Sequence, residues 1–507
     1  MNIGTLIPRH ARYRTGHTAI VFGGQRYSYG DFGARVNRLG HALLGAGIGK
    51  DQKVATVVPN CMELLDLYWA AAETGAVVVP MSPLLQPKGL AGLLRDADAD
   101  MVITHPNYAG LVAAAREQLD IRPENYIIAG DQPQDGFRSY ADFVAGASSA
   151  PLPDAGLMDE DVYNIIYSSG TTGDPKGIVH THYVRANYCT MFSQGFRFTP
   201  ESIVLHTGAA IFNGAFVTLM PIFYNGGTYI LHEAFDIDRV IQTVRDEKVT
   251  HIMMVPAQII QLINHPDATE ANLASLECVL SLGAPLHLEH KKLFDELLPG
   301  RFYELYGLTE GFMTILDKTD LARKPESVGA CPAFLEMRIC DDDGNDLPAG
   351  EVGEIVGRGP HLMPGYYKRP DLTAAAVKDG WLFTGDLGYV DEDGFLFLVD
   401  RKKDMIISGG VNVYPRDIEE IAVTYPGVAE VAVFGIPDEK WGETPVCAVL
   451  AKSGAEIDAA EMQDWINANV AAKFQRVSRV EVLDDFPRNA AGKTLKRTLR
   501  DQFADQT

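Results

Sequence analysis

The chain has 507 residues, of which 46% are hydrophobic and 22% are charged. This composition is typical of globular proteins and excludes a disordered or fibrous chain. Lys and Arg number 44 and Asp and Glu number 67, giving a formal net charge of −23. That charge disfavours nucleic acid as a partner and adhesion to anionic membranes. An anionic substrate stays open, because a basic pocket can lie within an acidic protein.

The cysteines and the apolar segments predict a cytoplasmic protein without a transmembrane segment. The six cysteines are dispersed and form no CxxC pair, so we expect reduced thiols in the core. The first residues contain no apolar stretch of signal-peptide length. Ser202–Tyr229 carries no charged residue and is long enough to span a membrane. Its glycines and Pro221 favour burial in a protein core instead.

Strand and helix patterns alternate through the first 400 residues, which predicts an α/β fold. Among the clearest are strands at Val54–Val58, Ala76–Val79 and Met101–Thr104, and helices at Tyr29–Leu44 and Met62–Glu73.

The remainder of the chain has a different organisation. From Ser327 to Asp400 the runs and turns are typical of antiparallel hairpins. A charge run follows, and then a self-contained α+β pattern. We therefore predict an α/β protein with a large N-terminal domain at 1–400, made of several subdomains with an antiparallel β portion. A hinge at 401–404 leads to a small, mobile α+β C-terminal domain at 405–507.

The strongest local signal is Ser168–Gly177, with the sequence SSGTTGDPKG after an apolar strand pattern. Glycines let backbone N–H groups close around an anion, hydroxyls add donors, and the lysine adds charge. The segment has the chemistry of a phosphate cradle. It is not a Walker A loop, because the GxxxxGK[ST] spacing is absent.

Five segments in a fixed order give the chain its family resemblance. They are YSSGTTGDPKG at 167–177, YGLTEG at 306–311, TGD at 384–386, DRKKDMIISGG at 400–410 and PRNAAGK at 487–493. Together they resemble the adenylate-forming superfamily, which contains acyl-CoA synthetases, amino-acid adenylation domains and luciferases. The similarity covers essentially the whole chain.

The resemblance implies an active site between the two domains that binds ATP and Mg²⁺. Asp386 matches the aspartate that binds the ribose hydroxyls, and Arg401 matches its basic neighbour. The glycine-rich loop matches the phosphate site, and two further segments match the walls around adenine. The residues that match the whole ATP site are Ser168, Ser169, Gly170, Thr171, Thr172, Gly173, Lys176, Gly283, Ala284, Pro285, Glu304, Leu305, Tyr306, Asp386 and Arg401.

Three residues match catalytic positions of the superfamily. Thr309 matches a threonine that contacts phosphate, and Glu310 matches a glutamate that helps to hold Mg²⁺, a hard cation that prefers carboxylate oxygens. Lys493 matches the lysine that enters the site for adenylation. An ammonium there stabilises the negative charge that develops on the phosphoryl oxygens.

The resemblance also implies CoA as a co-substrate and a rotation of the small domain between two half-reactions. Lys403 matches the hinge. The rotation carries Lys493 away and lets the CoA thiol reach the acyl group. The residues that match CoA contacts are Ser408, Gly409, Gly410, Trp441, Phe474 and Arg476.

The class of acid is predicted from the residues that match the acyl pocket of the superfamily. These are Ile211, Phe212, Asn213, Val217, Gly307, Phe312 and Met313. The set is apolar and holds no obvious cation, which disfavours a dicarboxylate such as malonate. Many relatives carry a histidine near the substrate. By its spacing, Ile211 occupies the matching position in this chain, so the gate of the acyl pocket departs from the family pattern.

We therefore expect an AMP-forming acyl-CoA synthetase that makes acyl-CoA, AMP and pyrophosphate through an acyl-adenylate. A medium- or long-chain fatty acid is the first candidate, and an aromatic acid of the hydroxycinnamate kind is the second. An adenylating enzyme that loads a carrier protein and a nucleotide-binding relative without activity are the alternatives. The chain leaves monomer and homodimer both open.

Overall fold

The structure is a computed structural model that describes residues 1–168, 176–408, 411–438, 441–489 and 492–504. Its described strands form four sheets, and helices pack between and on them. Two sheets belong to residues 18–316, a third to residues 336–401 and a fourth to residues 406–483. The predicted α/β class, with a large N-terminal and a small C-terminal domain, is confirmed.

The first sheet has eight strands, parallel in its interior and antiparallel in the pair at each edge. From edge to edge the strands are Met313–Leu316, Phe302–Gly307, Cys278–Leu282, His251–Met254, Ile203–His206, Thr228–Leu231, Thr18–Phe22 and Gln25–Ser28. Parallel strands bring their carboxyl ends to one edge of a sheet, where ligands of α/β proteins bind. The loop after Leu282 carries the predicted adenine-wall residues Gly283, Ala284 and Pro285 to that edge, and the loop after Gly307 carries the predicted catalytic residues Thr309 and Glu310.

The second sheet has seven strands and ends in an antiparallel hairpin. Its strands are Arg138–Ser139, Tyr126–Ile128, Ala99–Thr104, Lys53–Val57, Val77–Pro80, Val162–Ser168 and Lys176–Thr181. Three of these confirm strands predicted from the sequence. The last two strands flank the glycine-rich segment in the chain, and most of that segment lies outside the described residues.

The helices cover both faces of both sheets. In the first 400 residues they are Leu6–Tyr13, Tyr29–Gly45, Met62–Thr74, Pro87–Asp96, Ala109–Arg116, Tyr140–Val144, His182–Gly195, Asn213–Asn225, Ile237–Glu247, Pro256–Ile263, Leu288–Leu297 and Pro370–Ala376. Short 3₁₀ turns occur at Ile3–Thr5, Pro106–Tyr108, Pro123–Asn125 and Lys473–Gln475. The two helices that the sequence predicted, which begin at Tyr29 and Met62, are confirmed.

The main core lies between the two parallel sheets, around helices Met62–Thr74 and Asn213–Asn225. Successive side chains of a strand face opposite sides of its sheet. Val78 therefore joins this inner core, whereas Val77 and Val79 join the outer core under helices Pro87–Asp96 and Ala109–Arg116. The alternation explains why these strands read as continuous apolar runs, because both of their faces are buried.

The segment Ser202–Tyr229 is buried in this core, as its glycines and proline predicted. It contains strand Ile203–His206 and helix Asn213–Asn225, and it leads into strand Thr228–Leu231. Within the described residues, no helix is both long enough and apolar enough to cross a membrane.

The third sheet is antiparallel, as predicted, and joins the body of the protein through Gly329. Its strands are Glu336–Cys340, Gly353–Arg358, Val377–Lys378, Trp381–Val390 and Leu396–Arg401. The Val328 N–H donates to the Leu396 carbonyl, and the Leu396 N–H donates back to the Gly329 carbonyl. Ala330 bridges to Ile315 of the first sheet. Gly329 has φ +93°, and a Cβ there would lie 2.0 Å from the Ile315 backbone.

The C-terminal sheet is mixed and is flanked by three helices. Its strands are Val411–Val413, Ile406–Ser408, Gly442–Ala451, Val428–Asp438 and Arg479–Leu483, and its helices are Pro415–Ala422, Ala459–Asn469 and Lys496–Ala504. The short hairpin at residues 406–413 was absent from the predicted elements. Its strands are too short to show a pattern of their own.

We expect Gly329→Ala to destabilise the protein by about 3 kcal/mol or more, since strain from the positive φ adds to a backbone clash. Gly344→Ala is the matched control, because Gly344 has φ +84° with nothing within 4 Å of a Cβ. The control should lose about 1 kcal/mol. Chemical denaturation of both variants measures the loss in free energy of unfolding. Equal losses would contradict the close packing of Gly329 against the Ile315 backbone.

Candidate active site

The Thr309–Glu310 turn is fixed from three sides. The His180 side chain makes a 2.8 Å hydrogen bond to the Thr309 carbonyl through Nε2. The Tyr366 hydroxyl donates to Glu310 Oε1 at 2.9 Å. Gly311 has φ +117°, and a Cβ there would lie 1.9 Å from the His361 carbonyl oxygen. Only glycine fits this position, so the turn holds the Glu310 carboxylate in one place.

Lys176 lies beside this turn, at the start of the second strand of the hairpin. Its Nζ is 5.0 Å from the centre of the Tyr366 ring, a cation–π distance. Strand residue Ile178 also forms a backbone bridge to Tyr366. Tyr366 thus connects the lysine and the glutamate. The predictions for Ser169, Gly170, Thr171, Thr172 and Gly173 fall outside the described residues, as does the side chain of Ser168.

The predicted ribose site lies at the paired ends of two neighbouring strands. Asp386 and Arg401 are partners in the antiparallel ladder, and Arg401 Nε is 3.5 Å from Asp386 Oδ1. The Tyr306 hydroxyl donates to Asp386 Oδ2 at 2.8 Å. Burial and this aspartate raise the pKa of Tyr306 well above its usual value, so it stays a donor. Asp386 is mostly buried, with its carboxylate fixed by two elements.

The predicted adenine walls lie close together, with one side chain turned inward. Gly283 and Pro285 are exposed and Ala284 is half-buried, at the end of strand Cys278–Leu282. Glu304, by contrast, forms a fully buried ion pair with Lys291, with 2.5 Å between Oε2 and Nζ. The Leu286 N–H also points at Glu304 Oε1, at 3.4 Å. Glu304 therefore supports the 283–286 loop from beneath, with its carboxylate in the core.

The loop that carries Lys493 packs against this wall. A Cβ on Gly492 would lie 3.3 Å from Val255 Cγ2, and one on Gly283 would lie 3.6 Å from Val255 Cγ1. Across the same boundary, His287 Nδ1 is 3.1 Å from Glu420 Oε1 of the small domain. The small domain is thus closed over the large one, with Lys493 inside the boundary.

Lys493 lies among charges from both sides of the predicted hinge. Burial and the positive charge of Arg401 lower the pKa of Lys493 to about 7, against the opposing effect of Asp386. Lys403 also acts on it as a like charge. Burial and Arg401 outweigh the opposing carboxylates Asp386 and Asp404, so the charged form of Lys493 is less favoured than that of an exposed lysine.

The residues predicted to line the acyl pocket differ in their burial. Ile211, Val217, Phe312 and Met313 are buried, Phe212 and Asn213 are half-buried, and Gly307 is exposed. Asn213 begins helix Asn213–Asn225, and a Cβ on the next residue, Gly214, would lie 3.1 Å from Leu282 Cδ1.

A charged residue that the sequence did not single out stands behind Asn213. Arg185 is fully buried and donates from Nη1 to Asn213 Oδ1 at 2.8 Å. Sequence patterns do not distinguish it, because Arg185 lies on a helix among ordinary helix formers. Tyr366, His180 and Lys291 were also missed, and only the Gly365-Tyr366-Tyr367 turn carries a local signal.

The predicted CoA residues that the structure describes all belong to the small domain. Ser408 is buried, whereas Trp441, Phe474 and Arg476 are exposed on the small domain. The predictions for Gly409 and Gly410 lie beyond the described part of the chain. Lys403 is exposed between the third and fourth sheets, where a hinge could turn.

Comparison with known proteins places the chain in a family. Residues 7–367 match the model of the AMP-binding enzyme family, and residues 417–493 match that of the AMP-binding enzyme C-terminal domain. A feruloyl-CoA synthase of an Amycolatopsis species is 35% identical over 99% of both chains. A long-chain-fatty-acid–CoA ligase of Mycobacterium tuberculosis is 32% identical over 99% of this chain and 97% of that protein. The ATP-bound structure of MatB from Rhodopseudomonas palustris superposes with a TM-score of 0.89, at 30% identity over the whole of both chains.

The chain belongs to the AMP-binding enzyme family. It is an acid–thiol ligase of the adenylate-forming superfamily, as the five ordered segments predicted. Its co-substrates are ATP and CoA, with Mg²⁺ as the metal ion of the family.

The lowered pKa of Lys493 predicts a pH dependence. A lysine with a pKa of about 7 is charged below that pH, and its charged fraction falls tenfold per unit above it. We expect kcat/KM for ATP, measured by pyrophosphate release without CoA, to fall accordingly above pH 7. The Lys493→Arg variant keeps a positive charge at this position, so its kcat/KM should be lower but should not decline above pH 7. The same decline in both proteins would contradict the assignment.

Proposed function

We propose that the protein is an acyl-CoA synthetase for a monocarboxylic acid with a hydrophobic body. The site closed by Lys493 forms the acyl-adenylate, and rotation of the small domain about Lys403 then moves Lys493 away so that CoA can react. The observation that carries the proposal is that Asp386, which accepts from Tyr306 just before the Thr309–Glu310 turn, also acts on the charge of Lys493 from the small domain. We propose that the protein acts in the cytoplasm, because none of its six cysteines forms a disulfide bond.

In the first half-reaction, a carboxylate oxygen of the acid bonds to the α-phosphorus of ATP. The bond from that phosphorus to the β-phosphate oxygen breaks, and pyrophosphate leaves with its electron pair. Asp386 holds the ribose, and the Lys493 ammonium stabilises the charge that builds on the phosphoryl oxygens. In the second half-reaction the CoA thiol gives its proton to solvent and its sulfur bonds to the acyl carbon. The bond from that carbon to the AMP oxygen breaks, and AMP leaves with the electron pair.

Glu310 and its surroundings fit a magnesium ion. The Tyr366 hydroxyl donates a hydrogen bond to Oε1 of Glu310. The other carboxylate oxygen, Oε2, can then serve as a hard ligand for the metal ion. When bound, Mg²⁺ neutralises phosphate charge and favours departure of pyrophosphate. Tyr366 orients the carboxylate, and Lys176 adds a cation beside it.

The acid belongs to one of two classes. The buried side chains Val217, Phe312 and Met313 support a hydrophobic body. The named activities of the relatives support a fatty acid and an aromatic acid equally, since one relative is a feruloyl-CoA synthase and another a fatty-acid–CoA ligase. Loading of a carrier protein is the alternative fate of the acyl-adenylate.

Thioester formation tests the proposal. Purified protein with ATP, Mg²⁺ and CoA is given a panel of fatty and aromatic acids, and products are identified by mass spectrometry. We expect an acyl-CoA, with acetate and malonate poor substrates. Lys493→Ala should lose adenylation by about 100-fold or more yet convert supplied acyl-AMP to acyl-CoA. Acyl-AMP without thioester in the unaltered protein would overturn CoA as the acceptor.

Tyr366→Phe should raise the Mg²⁺ concentration for half-maximal adenylation by about tenfold, because the carboxylate ligand loses its orienting bond. Tyr367→Phe is the matched control, since the Tyr367 hydroxyl donates instead to Asp98. A magnesium titration of pyrophosphate release compares the two. Equal magnesium requirements in both variants would show that Tyr366 does not act through a metal ligand.

A further inference from the structure

Two helices at the domain boundary begin without a capping side chain of their own. Helix Leu288–Leu297 of the large domain follows His287, and helix Pro415–Ala422 of the small domain follows Tyr414. Among the residues that the structure describes, neither of these two side chains bonds to the first turn of its helix. Elsewhere the cap is local, as where Asp458 accepts from two N–H groups of the helix that it precedes. The first N–H groups of a helix have no partner within it, so another group must satisfy them.

Each of the two helices is capped instead by a carboxylate from the opposite domain. Glu420 of the small domain accepts from the Leu288 N–H at 3.3 Å through Oε2, and His287 Nδ1 lies 3.1 Å from its Oε1. Asp400 of the large domain accepts from the Arg416 N–H at 3.2 Å through Oδ2. A carboxylate at a helix N-terminus satisfies free N–H groups and complements the positive end of the helix dipole. The two caps are therefore reciprocal.

Arg416 joins the two caps into one group. Its backbone N–H donates to Asp400, and its Nη1 donates to the Leu398 carbonyl of the large domain at 3.1 Å. Its Nε is 3.6 Å from Glu420 Oε1, one helical turn further along. The side chains of Arg416 and Glu420 are 14% and 31% exposed, so water screens their charges only in part. The group connects the small domain to two separate elements of the large one.

The position of these residues relative to the hinge determines when the caps are made. Asp400 precedes the predicted hinge residue Lys403, whereas Arg416 and Glu420 follow it. Rotation of the small domain about Lys403 therefore separates both carboxylates from the N–H groups that they cap. The same movement withdraws Lys493 from the site. The caps belong to the adenylating arrangement, in which Lys493 is inside the domain boundary, and are lost on rotation.

We propose that Glu420 and Asp400 are positioning residues that hold the small domain in the adenylating arrangement by capping helices across the domain boundary. The inference rests on the proposed function and names residues that control the balance between its two half-reactions. Both act through the position of Lys493. A contact made in only one of two arrangements shifts the equilibrium between them by its own free energy. Loss of a cap therefore moves the population toward the arrangement that reacts with CoA.

The test measures both half-reactions in the Glu420→Ala variant. Adenylation is followed as kcat/KM for ATP, from pyrophosphate release with octanoate and with 4-hydroxycinnamate in the absence of CoA. Thioester formation is followed as kcat/KM for CoA with the matching acyl-adenylate supplied. Because the half-reactions use opposite arrangements, the ratio of the two constants follows the equilibrium between them. We expect this ratio to fall about tenfold, with thioester formation no slower, since two bonds to a carboxylate are lost.

Three further variants make the result specific to contacts across the boundary. His287→Ala should lower the ratio alone but add little to Glu420→Ala, because the two residues form one contact. Asp400→Ala should also lower the ratio, whereas Asp400→Asn keeps an acceptor for the Arg416 N–H and should restore most of it.

Asp458→Ala is the matched control. It removes a cap of two hydrogen bonds that lies wholly within the small domain. This variant should lower the Tm in thermal unfolding and leave the ratio unchanged. Thermal unfolding of the other variants shows whether each of them folds.

The outcomes separate this inference from the proposed function. An unchanged ratio in Glu420→Ala, including an equal loss of both half-reactions, would overturn the inference and leave the proposed function intact. So would an equally large fall of the ratio in Asp458→Ala, which would assign the effect to general loosening of the small domain. If the unaltered protein made no adenylate from either acid, or no thioester from the supplied adenylates, the proposed function would be overturned and the inference with it.

Discussion

The closed site depends on holding positive charge at a boundary between two domains. Lys493 and Arg401 come together there, with Asp386 as an opposing carboxylate. Burial disfavours the charged form of Lys493, and the positive charge of Arg401 adds to that effect, so the pKa of Lys493 falls to about 7. A bound nucleotide supplies the missing negative charge, so ligand binding and domain closure stabilise each other. Loss of pyrophosphate removes part of that charge and weakens the same closure.

The large domain supplies the rigid side of this boundary. Sheet strands set the positions of Asp386 and Tyr306, and the Thr309–Glu310 turn is held by His180, Tyr366 and a glycine that no other residue can replace. The small domain contributes the Lys493 loop, the His287–Glu420 contact and hydrogen bonds from Arg416 to Asp400 and Leu398. Burial alone would raise the pKa of Glu420, but the bond to His287 holds it at about 2, so the contact keeps its negative charge. A few polar contacts of this kind can break without unfolding either domain, as a rotating domain requires.

Sequence patterns predicted the elements whose periodicity reflects burial, including the strands around Val54 and Val78 and the helix that begins at Met62. Motif order predicted which residues meet at the site, because glycines, Lys493 and Asp386 are recognisable by type and position. Arg185, Lys291 and His180 were not predictable, since each acts from inside the core on a motif distant in sequence. The residues predicted to line the acyl pocket include no cation. The fold nevertheless brings the Arg185 guanidinium from another helix into contact with Asn213.

The central claim is that the acid attacks the α-phosphorus of ATP before the thiol attacks the acyl group. Acid labelled with ¹⁸O in its carboxylate, turned over with ATP, Mg²⁺ and CoA, tests this directly by mass spectrometry of the nucleotide. The carboxylate oxygen that bonds to phosphorus stays with the nucleotide when the thiol displaces it. The account predicts one ¹⁸O in AMP and none in pyrophosphate. Unlabelled AMP, or label in ADP or inorganic phosphate, would contradict it.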